Sequence, residues 1–462
     1  MEKDLAIVIM AAGLGTRMKS SKAKVLHRAG GKALVEHVTD TALELAPPER
    51  IFVVVGHQSA RVREVLASRR VNFIEQREQK GTGHALLCGR EELSRLGGLM
   101  MVLSGDCPLI STATLRRLLA MQRESGAAAT IMTTLLEDPS GYGRVIEKDG
   151  RVQAIVEQKA ATGEQLLVRE INSGNYCFRS DDFWEGIGDI RPDNPAREYY
   201  LTDIVGILNR AGRSVYALRI DDPGEALGIN NRVELAKVDA LFRARKTEEL
   251  MLSGVTVERP ETVTIDADVR VGMDTVIEPF TRILGATTIG ERCTIGACSI
   301  LEDSELGLDV LVRPFTCISG SKIGDEAQVG PYTRLRPGAN VGGGAHVGNF
   351  VEIKNTNLGA GSKANHLAYL GDSDIGERVN VGAGTITCNY DGVKKHRTKI
   401  GDDVFVGSNS TLVAPLEIGA GAYVGAGSVI TKPVPPEALS LGRARQVDKE
   451  GWARRRRKTS GD

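Results

Sequence analysis

An aliphatic residue returns at every sixth position through most of the C-terminal half of the chain. Ile265, Val271, Ile277, Ile283, Ile289, Ile295 and Leu301 keep the spacing without a slip. It resumes one residue out of step at Leu306, Val312 and Ile318, then at Ile323, Val329, Leu335, Val341, Val347 and Ile353. Ile400, Val406, Leu412, Ile418, Val424 and Ile430 close the run. A period of six matches neither an amphipathic helix nor an alternating strand. It predicts short parallel strands joined by tight corners, one aliphatic per side pointing inward and coil stacked on coil. Gly follows many of these residues, as at Gly290, Gly348 and Gly425, and is expected to supply corner angles that other residues resist. Three hexads per coil give roughly nine or ten coils and, at about 4.8 Å each, a prism on the order of 45 Å long.

Two stretches break the rhythm. Asn389 to Lys399 falls between Thr387 and Ile400, and Asn355 to Leu370 keeps register only loosely while carrying Lys363, Asn365, His366 and Tyr369. Insertions in a solenoid project as loops, and loops on a rigid scaffold tend to carry sites.

The N-terminal half has other periods. Leu5 to Ala12 is a continuous apolar run, the pattern of a strand buried on both faces. Further strands are predicted at Ile51–Val55 and Leu99–Leu103, and helices at Ala33–Leu45, Ala60–Ala67 and Ala113–Glu124. Such alternation predicts an open parallel sheet with ligands at the carboxyl ends of its strands. The first strand runs into Gly13-Leu14-Gly15-Thr16-Arg17-Met18, whose backbone N–H groups suit phosphate, with Lys24 close behind. It is neither the dinucleotide fingerprint nor a P-loop, and an ordinary tight turn explains the glycines equally well. Asp106 ends another strand, where a carboxylate serves as a hard-metal ligand or as a cap. Gln76 and Gly81-Thr82 occupy a turn-rich stretch open to base-edge hydrogen bonding; Gly143, Glu157, Asn172 and Asn230 are weaker, turn-like candidates. Asn231 to Glu234 reads as a capping box, followed by helical spacing through Val233, Ala236, Ala240, Leu241, Ala244 and Met251. The expected domains are therefore residues 1–230, a helical linker at 231–253, and the prism at 254–462.

Composition narrows the function less than the pattern does. The 462 residues carry 59 basic and 59 acidic side chains, so global charge points to neither nucleic acid nor membrane. The run from Arg454 to Lys458 is read as a frayed, solvated tail. Seven scattered cysteines without a C-x-x-C pair fit a reducing cytoplasm, and the opening apolar run is too short for a signal peptide or membrane span.

Together these residues resemble the bifunctional family that makes UDP-N-acetylglucosamine: N-acetylglucosamine-1-phosphate uridyltransferase joined to glucosamine-1-phosphate N-acetyltransferase. The resemblance rests on Ala11 to Met18 with Lys24-Val25-Leu26, on Arg334 to Gly338, and on His346 to Glu352. His366 to Asp372, Gly382 to Gly392 and Lys449-Glu450-Gly451-Trp452 continue it along nearly the whole chain. It implies an α/β, Rossmann-like nucleotidyltransferase domain followed by a left-handed parallel β-helix, assembled as a cytoplasmic homotrimer whose acetyltransfer sites are built from neighbouring chains.

At the first site the resemblance implies UTP and N-acetylglucosamine 1-phosphate as substrates, with Arg17 and Lys24 neutralising phosphate charge. Met10, Ala11, Ala12, Gly13, Ser104 and Gly105 would line it, Gln76, Gly81 and Thr82 would read uracil, and Gly143, Glu157 and Asn172 would hold the sugar. Asp106 and Asn230 would bind Mg²⁺. At the second site His366 would accept a proton from glucosamine 1-phosphate as it attacks acetyl-CoA. Arg336, Lys354, Tyr369 and Asn380 match the sugar-phosphate positions, and Ala383, Asn389, Tyr390, Ser408, Ala426 and Arg443 those for acetyl-CoA. Leu14, Asn365 and Ala368 depart from commoner family residues. Two rivals stay open at this stage. In one the solenoid only assembles a nucleotidyltransferase, a role that would not need His366, Lys354, Arg336 or the Asn389-Tyr390 insertion. In the other the whole chain is a non-catalytic scaffold, which leaves Lys24, Asp106 and Asn230 as accidents.

Overall fold

The computed structural model describes residues 2–458, the side chain of Lys458 excepted. The chain forms two compact units, residues 1–242 and 243–462. The first is built on β1 (Leu5–Ala11), a small hairpin of β2 (Arg28–Ala29) and β3 (Lys32–Ala33), β4 (Ile51–Val55) and β5 (Asn72–Glu75). It continues with β6 (Leu99–Ser104), β7 (Ala129–Leu135), β8 (Arg144–Lys148), β9 (Arg151–Val156), β10 (Glu170–Arg179) and β11 (Val215–Arg219). The main sheet runs β11-β7-β10-β6-β1-β4-β5, with β8 and β9 extending from β10. It is mixed rather than wholly parallel, because β10 runs antiparallel to both β6 and β7.

Apolar clusters cover both faces of this sheet, which accounts for the unbroken apolar run of β1. Parallel pairing of β1 with β4 and β6 sets Ala11 opposite Val55 and Met10 opposite Ser104. The carboxyl ends of these strands therefore meet along one edge.

The second unit is a prism of three parallel ladders. The first face has eleven strands from Thr256–Val257 to Leu439–Ser440, the second ten from Thr264–Ile265 to Val429–Ile430, and the third nine from Arg270–Val271 to Leu416–Ile418. Each strand pairs with the one three later in sequence, as in Ile277 with Ile295 and Val312 with Val329, until Tyr423–Val424 pairs with Leu439–Ser440 two strands later. This is the left-handed β-helix of hexapeptide repeats. The aliphatic column fills its axis almost without exposure, each such side chain contributing about 1.5–3 kcal/mol of transfer free energy. A second buried column lies two residues before the aliphatics, mostly small or hydroxylic, as at Thr281, Ser299 and Ser362, with valines and Leu416 among the exceptions. Its hydroxyls donate to carbonyls, Ser362 Oγ to Gly376 O at 2.7 Å for example.

Three expectations need correction. The stretch from Asn355 to Leu370 is not a loose insertion: Asn357–Leu358, Lys363–His366 and Tyr369–Gly371 are regular rungs. Five-residue sides and a small Ala364 in the core column disguise the period there. Nor do the glycines after the aliphatics supply corner angles. A Cβ on Gly348 would collide with the Asn365 carbonyl of the next coil, and one on Gly290 with that of Gly307. The left-handed corner residues come two positions later and are mostly not glycine, among them Arg292, Asp309, Phe350 and Leu367.

The helix is present at Arg232–Leu252 but buries a different stripe. Val233, Ala236, Ala240, Leu241, Ala244 and Met251 are all exposed, whereas Val238, Thr247 and Leu250 are buried. Phe242 stacks on His37 at 4.1 Å. The expected insertion at 389–399 does project, between strands Ile386–Cys388 and Thr398–Ile400. The basic run is exposed, as a solvated tail should be, and lies on a short helix, Trp452–Lys458, with the Arg456 guanidinium 5.2 Å from the Trp452 ring.

Candidate active sites

In the first unit, Gly15 takes a φ of 63°, and a Cβ there would come within 2.6 Å of the Lys24 Cβ. Glycine thus lets the loop close down on Lys24. The N–H groups of Gly13, Leu14 and Gly15 donate to no acceptor among the described residues, leaving them free for an anion.

Four side chains converge beside this loop. Lys24 Nζ pairs with the Asp106 carboxylate, their side chains only 17% and 19% exposed. It also donates to Asn230 Oδ1 at 3.2 Å, which accepts from Arg17 Nη2 at 2.7 Å. The helix cap places Asn230. Asn231 Oδ1 accepts the N–H groups of Val233 and Glu234, each at 2.9 Å. Glu234 reaches back to the N–H of Asn230 at 2.6 Å rather than to that of Asn231. Two hard oxygens, one anionic, here share the Lys24 ammonium, and Arg17 adds a second cation on the Asn230 oxygen. Such a donor set fits a divalent cation, although no group of three or more His, Cys, Asp or Glu among the described residues is placed to hold a metal ion.

A second group surrounds Asn172. A register shift in β10 between Asn172 and Tyr176 turns Gly174 toward Ser104, whose Oγ donates to the Gly174 carbonyl at 3.2 Å. Gly105 N donates to Met10 O at 3.0 Å, tying β6 to β1 beside Ala11 and Ala12. Asn172 N donates to Gly143 O at 2.9 Å, and the Gly143 Cα faces Glu157. Burial pushes the Glu157 carboxyl above its ordinary range against the opposing hydrogen bond from Thr202. That bond, Thr202 Oγ1 to Glu157 Oε1, is 3.2 Å.

Gln76, Gly81 and Thr82 form a third group after β5. Gln76 Nε2 donates to Gly81 O at 3.0 Å, and Thr82 Oγ1 accepts from Leu201 N at 3.0 Å. Tyr199 to Thr202 thus joins the second and third groups. Sequence reasoning passed over this segment because nothing in its composition shows which partners it will meet.

On the prism, His366 ends the first-face strand Lys363–His366, just before the left-handed corner at Leu367. Its Nδ1 lies 3.0 Å from Oδ1 of Asn349, its neighbour in register on the preceding coil. Ala383, Ser408 and Ala426 continue the same corner column, linked by Gly384 N to His366 O, Asn409 N to Ala383 O and Gly427 N to Ser408 O. Below it, Phe315 stacks on Tyr332 at 5.0 Å and Tyr332 on Phe350 at 5.5 Å. These three, with Phe280 and Leu367, are each more than half exposed.

Across the second face, three residues or about 10 Å wide, lies a cationic corner. Arg336 Nη1 donates to Glu352 Oε1 at 2.9 Å. The adjacent Lys395 ammonium lowers the pKa of Lys354. Burial pushes the Asp372 carboxyl up, but donors from Asn355 and Asn389, with Lys354 and Lys395 nearby, bring it below the ordinary range. Tyr369 lies on the face between the two corners, its ring over Gly371. Tyr390 is exposed in the projecting loop, its hydroxyl donating to Gly392 O at 2.6 Å. Asn380 begins a first-face strand, a face width from His366, and Arg443 is exposed beyond the last rung. A single chain does not gather these two with the rest.

A family model described as a MobA-like NTP transferase domain matches residues 7–170. One described as bacterial transferase hexapeptide (six repeats) matches 268–303 and 397–432. Fold and sites together define the class, a nucleotidyltransferase continued into a hexapeptide-repeat transferase. Proteins named bifunctional protein GlmU are similar along almost their whole length. The one from Solibacter usitatus is 61% identical over 99% of this chain and 98% of its own. Those from Koribacter versatilis and Shouchella clausii are 52% and 44% identical, over 98% and 97% of this chain and 98% of each of theirs. The chain belongs to the bifunctional GlmU family and carries a uridyltransferase and an acetyltransferase.

Proposed function

We propose that the prism acetylates glucosamine 1-phosphate from acetyl-CoA and that the first unit then joins the N-acetylated product to UTP. The observation that supports this most is that each unit gathers its own polar cluster, suited to a different chemistry.

In the first unit the sugar phosphate attacks the α-phosphorus of UTP, and the bond to the leaving pyrophosphate breaks. Such a step needs alignment and charge neutralisation rather than a covalent catalyst. The free N–H groups of Gly13 to Gly15 cradle the phosphates beside Met10, Ala11 and Ala12, while Arg17 and Lys24 neutralise them. Asp106 and Asn230 would hold Mg²⁺, which when bound supplies further charge neutralisation at the phosphates. Gln76, Gly81 and Thr82 read the uracil, and Gly143, Glu157 and Asn172 orient the sugar alongside Ser104 and Gly105.

On the prism the substrate lies across the second face, its phosphate at Arg336 and Lys354 and its amine toward His366. Donation to Asn349 Oδ1 keeps the proton on Nδ1 and leaves Nε2 of His366 as the base. The amine nitrogen attacks the thioester carbon, its proton passes to Nε2, and the CoA thiolate leaves. Acetyl-CoA runs up the corner column of Ala383, Ser408 and Ala426 toward Arg443, with Asn389 and Tyr390 closing over it. Asn380 and the exposed aromatic corner fit a homotrimer in which a neighbouring prism completes the site. Seven free thiols fit a cytoplasmic enzyme. No helix among the described residues is long and apolar enough to cross a membrane.

The test follows CoA and pyrophosphate together in one reaction containing UTP, acetyl-CoA and glucosamine 1-phosphate. CoA should appear first and pyrophosphate should depend on it. Pyrophosphate release from glucosamine 1-phosphate at full rate without acetyl-CoA would contradict the order.

A further inference from the structure

His84 is not among the groups assigned to either reaction, yet it touches the residue that reads the base. It lies in the short helix Thr82–Leu87, with its Nδ1 3.1 Å from Gln76 Nε2. Gln76 is only 3% exposed. The same nitrogen donates to the Gly81 carbonyl at 3.0 Å. A carbonyl oxygen can only accept, so the atom facing Gly81 must be the amide nitrogen and not its oxygen. Both protons of that NH₂ group are then used, one on Gly81 O and one on His84 Nδ1. An imidazole nitrogen that accepts carries no proton, so His84 is the neutral tautomer protonated at Nε2. The Cys88 thiol, 3.9 Å from Nδ1 and 4.0 Å from Nε2, is a weak partner for either, and the Tyr199 ring lies tilted beside the imidazole at 6.2 Å between centroids.

The arrangement settles which end of Gln76 faces a ligand. Its Oε1 accepts from no donor among the described residues, and neither does the Gly81 N–H find an acceptor. The loop thus offers one free acceptor and one free donor close together, the complement of an imide edge such as N3–H and O4 of uracil. Cytosine presents the opposite pattern at those two positions, an acceptor at N3 and an amine at C4. A glutamine free to rotate would satisfy either base. Rotating this one would set Oε1 against the lone pairs of Gly81 O, and would keep a hydrogen bond to His84 only if the imidazole moved its proton from Nε2 to Nδ1.

We infer that His84 is a positioning residue that locks the Gln76 amide in the orientation selecting uracil over cytosine. The inference rests on the reading of Gln76 as the base contact and deepens it. A buried polar group that must be left unpaired is what lets a site reject a near-isosteric ligand strongly. Removing one of the two acceptors that hold the amide should therefore act on discrimination more than on turnover.

The experiment compares kcat/KM for UTP and CTP in the full-length enzyme. His84→Leu should lower the UTP/CTP ratio by about tenfold through KM, with kcat for UTP kept within about threefold. His84→Asn, whose Oδ1 can stand where Nδ1 stood, should restore the ratio; acetyl transfer by the same preparations reports an intact chain. Gln76→Ala separates the two levels of the claim. If Gln76→Ala costs UTP affinity while His84→Leu leaves the ratio unchanged, the role of His84 is overturned and the base reading stands. If Gln76→Ala leaves UTP affinity unchanged, both fall. Should His84→Leu not fold, nitrogen-15 imidazole spectra of the unaltered enzyme decide. An unprotonated Nδ1 at His84 is expected, and a protonated one overturns the lock.

Discussion

Replacing Asn349 by Ala isolates the contact that would orient His366, the proposed acetyl-transfer base. Its Oδ1 stands 3.0 Å from His366 Nδ1, on the adjacent rung and in direct register. A hydrogen bond between neutral groups contributes about 1 kcal/mol net, and its loss also frees the ring to adopt the tautomer and rotamer that turn Nε2 away. A combined penalty of about 1–1.5 kcal/mol corresponds to a fall of roughly five- to twelvefold in kcat. KM for glucosamine 1-phosphate should hardly move, because Arg336 and Lys354 sit at the opposite corner. His366→Ala removes the base itself and should cost about 10²–10⁴-fold. The assay is CoA release at saturating acetyl-CoA, with kcat and KM determined for both variants. A kcat for Asn349→Ala within twofold of the unaltered enzyme would refute the orienting role. A loss as deep as that of His366→Ala would equally refute this division of labour.

Asp106→Asn keeps the shape of the cation site and removes its one charge; uridylyl transfer should fall by about a thousandfold, roughly 4 kcal/mol, as read from pyrophosphate release over a magnesium titration. Gly348→Ala drives a methyl into the Asn365 carbonyl, beside His366; it should destabilise the prism by about 1–3 kcal/mol and lower acetyl transfer, checked by urea unfolding and CoA release. Burial raises the Glu157 pKa in the folded chain above its unfolded value of about 4.3. The folded form therefore holds that proton more tightly, and stability falls as pH rises from about 4.3 to the raised value. Glu157→Gln should remove that loss, so its urea midpoint should exceed that of the unaltered chain at pH 7 and converge with it at pH 4, with weaker sugar binding throughout.

The hexad period made the prism legible because an aliphatic column repeats wherever every side has six residues. It failed where sides shorten to five, from Ile353 to Leu358 and from Leu370 to Ile375, and where Ala364 replaces a larger side chain. The strand placing His366 therefore passed for a loop. The glycines were noticed for the wrong physical reason: their partner is the coil above, which no local pattern reveals. Helical spacing located Arg232–Leu252 but picked the exposed stripe, since alanines at the right interval mimic a buried face. At the first site, Gly13 to Arg17 and Asp106 could be read locally as a loop and a strand end. The meeting of Lys24, Asp106 and Asn230 spans more than 200 residues and only the fold produces it. Antiparallel β10 and the Tyr199–Thr202 bridge are likewise tertiary facts.

What tests the account most directly is a crossed assay of His366→Ala and Asp106→Asn, each supplied with the substrates of both reactions and followed for CoA and for pyrophosphate. His366→Ala should lose CoA release yet make UDP-N-acetylglucosamine from supplied N-acetylglucosamine 1-phosphate at the unaltered rate, and Asp106→Asn should do the reverse. Both products falling together in either variant would contradict two independent sites on one chain.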